Sequence, residues 1–291
     1  MEQVARVQLI QRGFRGLRSF ARRRPVAAAW GAVATLLLVM AVAAPVISPQ
    51  DPLKPDFKSV TRAPTLRRPF GTDYLGRDIV SRIIYGARIS LSVALAAVMV
   101  GTAGGAVWGL ASGYIGGKFD LGSQRVMEIL LSFPPLILAL ALSMALGAGV
   151  WTIIIAIGIT RVPITGRVIR SVALSVKESL YVEAARAVGA SSLRIMVFHV
   201  GPQCIAPFLV LATMHLGTCI LLEATLGFLG VGVPPPAPTW GTMLGDAATS
   251  LIPRWWLVFF PGLFITIAVL AFNLFGDGLR DALDPRLRGA M

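Results

Sequence analysis

Five stretches of this chain are free of charged side chains over lengths that few water-soluble folds need: Val26–Ile47, Ile89–Gly117, Ile129–Thr160, Cys204–Leu222 and Trp255–Gly276. A helix needs roughly 20 consecutive apolar residues to cross a bilayer, so four of these runs each predict one membrane span. The third, Ile129–Thr160, fits a hairpin of two spans better than one helix, with Gly147 and Gly149 offering the turn. Composition agrees. Hydrophobic residues make up 55% and charged residues 14%, where a soluble domain carries about 25% charge. The expected fold is an all-α integral membrane protein with six transmembrane helices.

The first run follows a basic segment, "ARVQLIQRGFRGLRSFARRR". It is longer than the apolar core of a signal peptide, and Pro45 follows "AVAA", which disfavours cleavage there. We therefore expect it to stay as a signal anchor. The arginines Arg22–Arg24 lack the surroundings of a twin-arginine signal. The formal net charge of +13 invites a nucleic-acid reading, but in a membrane protein the side on which the charge falls matters more. Six spans with the N-terminus inside place most lysines and arginines in the cytosol, so both termini are expected there. The divisions follow: a cytosolic basic tail (1–25), the first span (26–47), an extracytoplasmic segment with an interfacial helix (48–87), a core of five spans (88–279) and a cytosolic tail (280–291). In the extracytoplasmic segment Ile79, Ile83 and Ile84 share a helical face apart from Arg77, Asp78, Ser81 and Arg82, the pattern of an amphipathic helix at an interface entering span two. Span five is expected to end at Pro234–Pro236.

One cytosolic loop, about 167–202, differs from its surroundings. "SVKE" at Ser175–Glu178 fits a capping box that would start a new helix. Helix formers continue to Val188, Gly189 is placed to stop the helix in a left-handed conformation, and Ser191 or Ser192 can cap the next helix. A DNA-binding helix-turn-helix would need polar side chains on its second helix. Here that helix reads "LRIMVFHV", so nucleic acid is not an expected partner.

The spacing Glu183-Ala184-Ala185, then Gly189, then Pro202 resembles the coupling loop of ATP-binding-cassette importer permeases. His199 and Gly201 stand where that pattern carries hydrophobic residues, and histidine resembles the peptide-importer branch. Three other segments, "GTDYLGRDIVSRIIYGARISLSVAL", "EATLGFLGVGVPPPAPTWGTML" and "NLFGDGLRDALDPRLR", are similar to the C-type permease of dipeptide and oligopeptide importers, a pattern shared with nickel importers. The resemblance covers about residues 65–290. It implies a type I ABC importer permease fold in a bacterial plasma membrane. It further implies a B-type permease partner, two cytosolic ATP-binding-cassette domains carrying ATP and Mg, and an extracytoplasmic substrate-binding protein. Glu183, Ala184, Ala185, Arg186 and Gly189 would form the joint with an ATPase: the alanines allow close approach, Glu183 and Arg186 make polar contacts, and Gly189 sets the angle between two helices.

No lysine sits in a GxxxxGK[ST] phosphate loop, and HExxH, GxSxG and Cys/His clusters are missing from the sequence. The chain is thus expected to be no enzyme and to hold no cofactor or metal, with energy coming from a partner. A secondary transporter would need ionisable sites at mid-membrane, for which Arg161 is the one candidate. Arg161 either lies half-way along span four or snorkels to the cytosolic surface. Glu223, some twenty residues beyond Pro202 and so ~30 Å along a helix, could line the outer mouth of a pathway, pair with an external base, or hold a gate. Asn273, Asp277 and the span-two glycines Gly101, Gly104, Gly105 and Gly109 are expected to serve packing. Cys204 and Cys219 share one predicted helix and imply no disulfide framework.

Overall fold

The computed structural model describes residues 21–22, 24–250 and 254–283. The expectations for most of the basic N-terminal tail and for the last residues of the C-terminal tail lie outside them. Helix α1 (Pro25–Ile47) starts on a proline at its first position, where the missing N–H costs nothing. Helix α2 runs unbroken from Ile79 to Ile115. Its 37 residues, at 1.5 Å each, are longer than a bilayer is thick. The residues expected to form an interfacial helix entering span two are thus the first turns of that span's own continuous helix. The Asp78 side chain accepts a hydrogen bond from the Ser81 amide to cap it. The expected polar face is also not solvated: Asp78, Ser81 and Arg82 are buried, while Ile79 and Ile83 pack against Met243, Trp256 and Leu257.

The first limb of the expected hairpin is broken. Helix α3 (Gly117–Ser132) and helix α4 (Pro135–Leu146) meet at 95°. Pro134 and Pro135 remove two consecutive amide donors and force the residue before them out of the helical region. With 12 residues, α4 alone is too short to cross a bilayer. By length and composition there are five candidate spans among the described residues, or six if the bent pair counts as one. The turn at Gly147 is present, with φ +84, and leads into α5 (Val150–Lys177).

Helices α2 and α5 are held at close range by glycine. Gly101, Gly105, Gly109 and Gly113 recur every four residues on α2 and face the α5 backbone at Gly158, Val162, Gly166 and Arg170. A methyl group at any of the four would collide with an α5 carbonyl oxygen. Gly104 is not part of this ladder, having only a Val162 methyl nearby.

After the short helix α6 (Leu180–Ala187), one helical rod, α7, spans Ser192–Phe228. It contains a π turn at Met196–Val200 and a tighter turn at Gly201–Cys204. Pro202 supplies the cause, since it cannot donate to the ladder. The rod ends earlier than expected. Gly230 (φ +78) donates to Gly227 and Val231 donates to Leu226, a Schellman closure that precedes the three prolines. A further helix, α8 (Trp240–Ala248), is closed by a Thr239–Thr242 capping box and packs on the outer ends of α2 and α7. Its Trp240 is fully buried and donates from Nε1 to the Ile83 carbonyl at 3.0 Å. The last helix, α9 (Trp255–Leu283), returns beside α1, where Arg24 and Asp281 form an ion pair at 2.8 Å.

The segment between α1 and α2 is ordered by its own polar groups. Thr72 donates to the Ser59 carbonyl at 2.5 Å and Arg68 to Asp56 at 2.8 Å, while Phe70 stacks on Phe260 of α9 at 3.9 Å.

Candidate functional site

The loop between α5 and α7 is built in three steps. Helix α5 does not stop at the expected Ser175 cap; it continues to Lys177, with Glu178 closing it. Ser179 is the new N-cap residue, and its carbonyl accepts from Val182 and Glu183. Two serines compete for the cap here, and packing of Ala173 and Val176 against Val182 and Ile195 favours the longer helix. At the other end, Gly189 has φ +79 as expected. Its amide donates to Arg186 and that of Ala190 to Ala185, so the left-handed glycine fixes the turn into α7. Ser191 caps that helix, accepting from Arg194 at 3.4 Å.

The eight residues of α6 then divide by face. Val182 and Ala185 are buried in a small core with Ala173, Ile195 and Val200. Glu183, Ala184, Arg186, Ala187 and Gly189 are exposed. Ala185 therefore seats the helix on the protein instead of offering a surface for close approach. Leu180, Val188 and Leu193 flank the outward face and are strongly exposed, giving a small helix with polar groups at its centre and apolar groups at its ends. Behind it, Asp120 on α3 takes two hydrogen bonds from Arg170 on α5, at 2.6 and 2.5 Å, and one from Ser112 on α2. Asp120 and Arg170 are far apart in sequence, and no local signal links them.

Deep in the spans, Arg161 is 6% exposed and does not snorkel. Its Nε donates to Thr160 at 3.0 Å, and one terminal nitrogen reaches Thr218 on α7 at 3.4 Å. Thr218 is exposed on the surface of α7. His215 and Thr102 lie in the same layer, 3.4 Å apart. Glu223, at 0% exposure, sits toward the outer end of α7 with the hydroxyls of Ser90 and Thr239 beside it, although neither carboxylate oxygen makes a well-formed hydrogen bond among the described residues. The structure thus places it inside the subunit, not on a surface mouth, and it does not bring Arg161 and Glu223 together. Asn273 packs against the α7 backbone at Gly217, where a methyl group would collide with it; Asp277 is exposed. Cys204 and Cys219 are buried free thiols. No group of three or more His, Cys, Asp or Glu suited to a metal occurs among the described residues.

Residues 105–289 match the family described as binding-protein-dependent transport system inner membrane component. The chain belongs to this family. It is 42% identical over 259 residues to a putative peptide transport system permease protein of Brucella suis, covering 89% of this chain and 87% of the relative. It is 41% identical over 269 residues to the glutathione transport system permease protein GsiD of Escherichia coli O1:K1, covering 92% and 89%. It is 41% identical over 256 residues to the dipeptide transport system permease protein DppC of Alkalihalophilus pseudofirmus, covering 88% and 84%. Among solved structures, an inward-facing form of the MetNI methionine ABC transporter matches with a TM-score of 0.50 at 20% identity, over 67% of this chain and 94% of that one. That likeness concerns the fold alone, which is the type I ABC importer permease fold that the resemblance implies. The protein is a permease subunit of the inner membrane.

Proposed function

We propose that this permease forms half of a translocation pathway for di- and oligopeptides in an ATP-driven importer. Cargo is inferred from its relatives, named as peptide, dipeptide and glutathione permeases at about the same identity. The observation that carries the mechanism is the outward face of α6, where Glu183, Ala184 and Arg186 are presented between exposed Leu180 and Val188. A short helix of this kind suits a cleft on a rigid partner. A displacement of α6 would pass through the Asp120–Arg170 bridge to α3 and α5, the small shift between packed bodies that alternating access needs. Gly189 holds the joint at a fixed angle. The chain carries no phosphate loop of its own, so ATP and Mg belong to two cytosolic ATPase domains. A B-type permease supplies the other half of the pathway, and an extracytoplasmic binding protein delivers cargo. The Arg24–Asp281 pair puts the start of α1 and the end of α9 on one face, which supports placing both termini in the cytosol. Within this reading Arg161 and Glu223 are the candidate pathway or gate groups, Arg161 because its charge reaches an exposed face of α7.

The test is ATP-dependent uptake of labelled di- to pentapeptides into vesicles by the co-expressed complex with its binding protein. Gly189→Asp should cut uptake at least tenfold while the complex still assembles, because it puts a carboxylate at the exposed end of α6 where the ATPase would dock, and within the subunit a side chain there meets nothing within 4 Å. Normal uptake by that variant would remove α6 as the coupling joint. An intact complex that takes up no peptide would return the cargo to other small solutes, nickel among them.

A further inference from the structure

On the extracytoplasmic side, a cavity of about 610 Å³ opens between the outer end of α2, the end of α4, the 227–237 loop and α8. Its volume is in the range of small-molecule sites. Three charged side chains line it: Arg77, Arg82 and Asp246. Arg77 is committed to Asp73 at 2.7 Å. Arg82 lies 3.5 Å from Asp73 and 3.8 Å from Asp246, with Asp246 also beside the Tyr74 hydroxyl. Both acids are reached through Nε and Nη2. The remaining nitrogen, Nη1, has no hydrogen-bond partner among the described residues, although Arg82 is only 4% exposed. Ser143 lines the same cavity, is 3% exposed, and its hydroxyl is likewise without a partner.

Two buried donors left unmade on one cavity are unusual, because each costs the desolvation of a polar group. Both residues line one cavity, and a ligand that can accept from a guanidinium N–H and from a hydroxyl while carrying the complementary charge is a carboxylate. Asp246, about half exposed on the rim, would repel a second anion and favours a ligand that carries a cationic or neutral group beside its carboxylate.

We propose that this cavity is a carboxylate subsite on the entry side of the permease, taking the free C-terminal carboxylate of a peptide through Arg82 Nη1 and Ser143 Oγ. The assignment to peptide rests on the importer reading above; the carboxylate chemistry does not.

The experiment is equilibrium binding to the purified, assembled complex in nanodiscs without its binding protein, so that the binding protein's own preference does not enter. The probes are labelled N-acetyl-dialanine and its C-terminal amide. The complex should bind the free acid about tenfold more tightly than the amide, a difference of about 1.4 kcal/mol. Ser143→Ala, which removes no hydrogen bond the described residues make, should reduce that preference severalfold, and Arg82→Gln should abolish it. Equal binding of acid and amide by the unmodified complex, or an undiminished preference in Ser143→Ala, would overturn the subsite. Because Arg82→Gln also loosens contacts to Asp73 and Asp246, the serine variant keeps the test decisive if the glutamine variant fails to assemble. A complex that prefers the acid yet imports no peptide would leave the subsite standing and bring down the peptide cargo alone.

Discussion

Arg161 has hydroxyls as its hydrogen-bond partners and no carboxylate beside it among the described residues. A charge so placed costs several kcal/mol that a neutral side chain would not, so stability is no reason to keep it. If its role lies in the pathway, Arg161→Met should leave the thermal midpoint of the assembled complex unchanged or raise it by a few degrees, while peptide uptake falls about tenfold. Scanning fluorimetry and vesicle uptake on the same preparation separate the two effects. A parallel fall in both would make Arg161 a packing residue. In the segment between α1 and α2, Asp56 behaves in the opposite way. The Ser59 hydroxyl, followed by the Arg68 guanidinium, holds its carboxyl below the usual carboxylate value. A depressed value in the folded state means that its contribution is complete above about pH 4 and is lost as pH falls through the folded value. Amide exchange in residues 56–76, followed from pH 6 to 3, should show protection lost only at the acid end, and Asp56→Asn should remove that step.

At the scale of elements, the α2–α5 ladder depends on the missing side chains of four glycines. In a bilayer, helices gain little from burying apolar surface against one another and associate through close van der Waals contact. Gly109→Ala puts a methyl group against the Gly166 carbonyl and should lower stability in detergent by about 1–3 kcal/mol, the usual cost of overpacking. Gly104→Ala, one turn away on the same helix but off the ladder, should be close to neutral. Gel-filtration thermal shift distinguishes them. This contrast also marks what could be read in advance. The small residues of span two were legible as a packing face, yet which of them touch α5 depends on the partner helix, so Gly104 was included and Gly113 missed. Local chemistry was read well where one residue decides the geometry, as at Gly189 and Gly147. It was misread where two signals compete. Ser175 and Ser179 both suit a cap, and the core around Ala173 selects the second; Gly230 ends α7 before the prolines can. The bend at Phe133–Pro134 was written in the sequence and hidden by the length of the apolar run. The burial of Arg82, the Asp120–Arg170 bridge and the depth of Arg161 join residues distant in the chain, and no periodicity reports such pairs.

For the molecule as a whole, the distribution of burial says which faces are finished. In the apolar stretch of α5 61% of residues are buried, against 22% in α1 and 22% in α7, so α5 is central and the other two present surface outward. The two surfaces differ in kind. The exposed residues of α1, among them Leu36, Val39 and Val42, are all apolar over two turns, as lipid contact requires. The exposed side of α7 carries Thr218 and Leu221, and at Thr218 it receives a nitrogen of Arg161. Both threonine hydroxyls nearby, at 218 and 225, return to their own helix carbonyls, which lipid would also permit; what sets this face apart is the buried guanidinium directly beneath Thr218, a charge that is costlier behind lipid than behind water or protein. The α7 face should therefore meet water or the second permease, and the α1 face lipid. With Cys204 and Cys219 replaced, Leu221→Cys in the assembled complex should react with a membrane-impermeant maleimide in at least one nucleotide state, with a rate that changes when ATP and a hydrolysis-blocking phosphate analogue are added. Val39→Cys should stay unreactive in every state. If Leu221→Cys is as inert as Val39→Cys throughout, while uptake remains intact, α7 faces lipid at that level and the pathway must run along another helix.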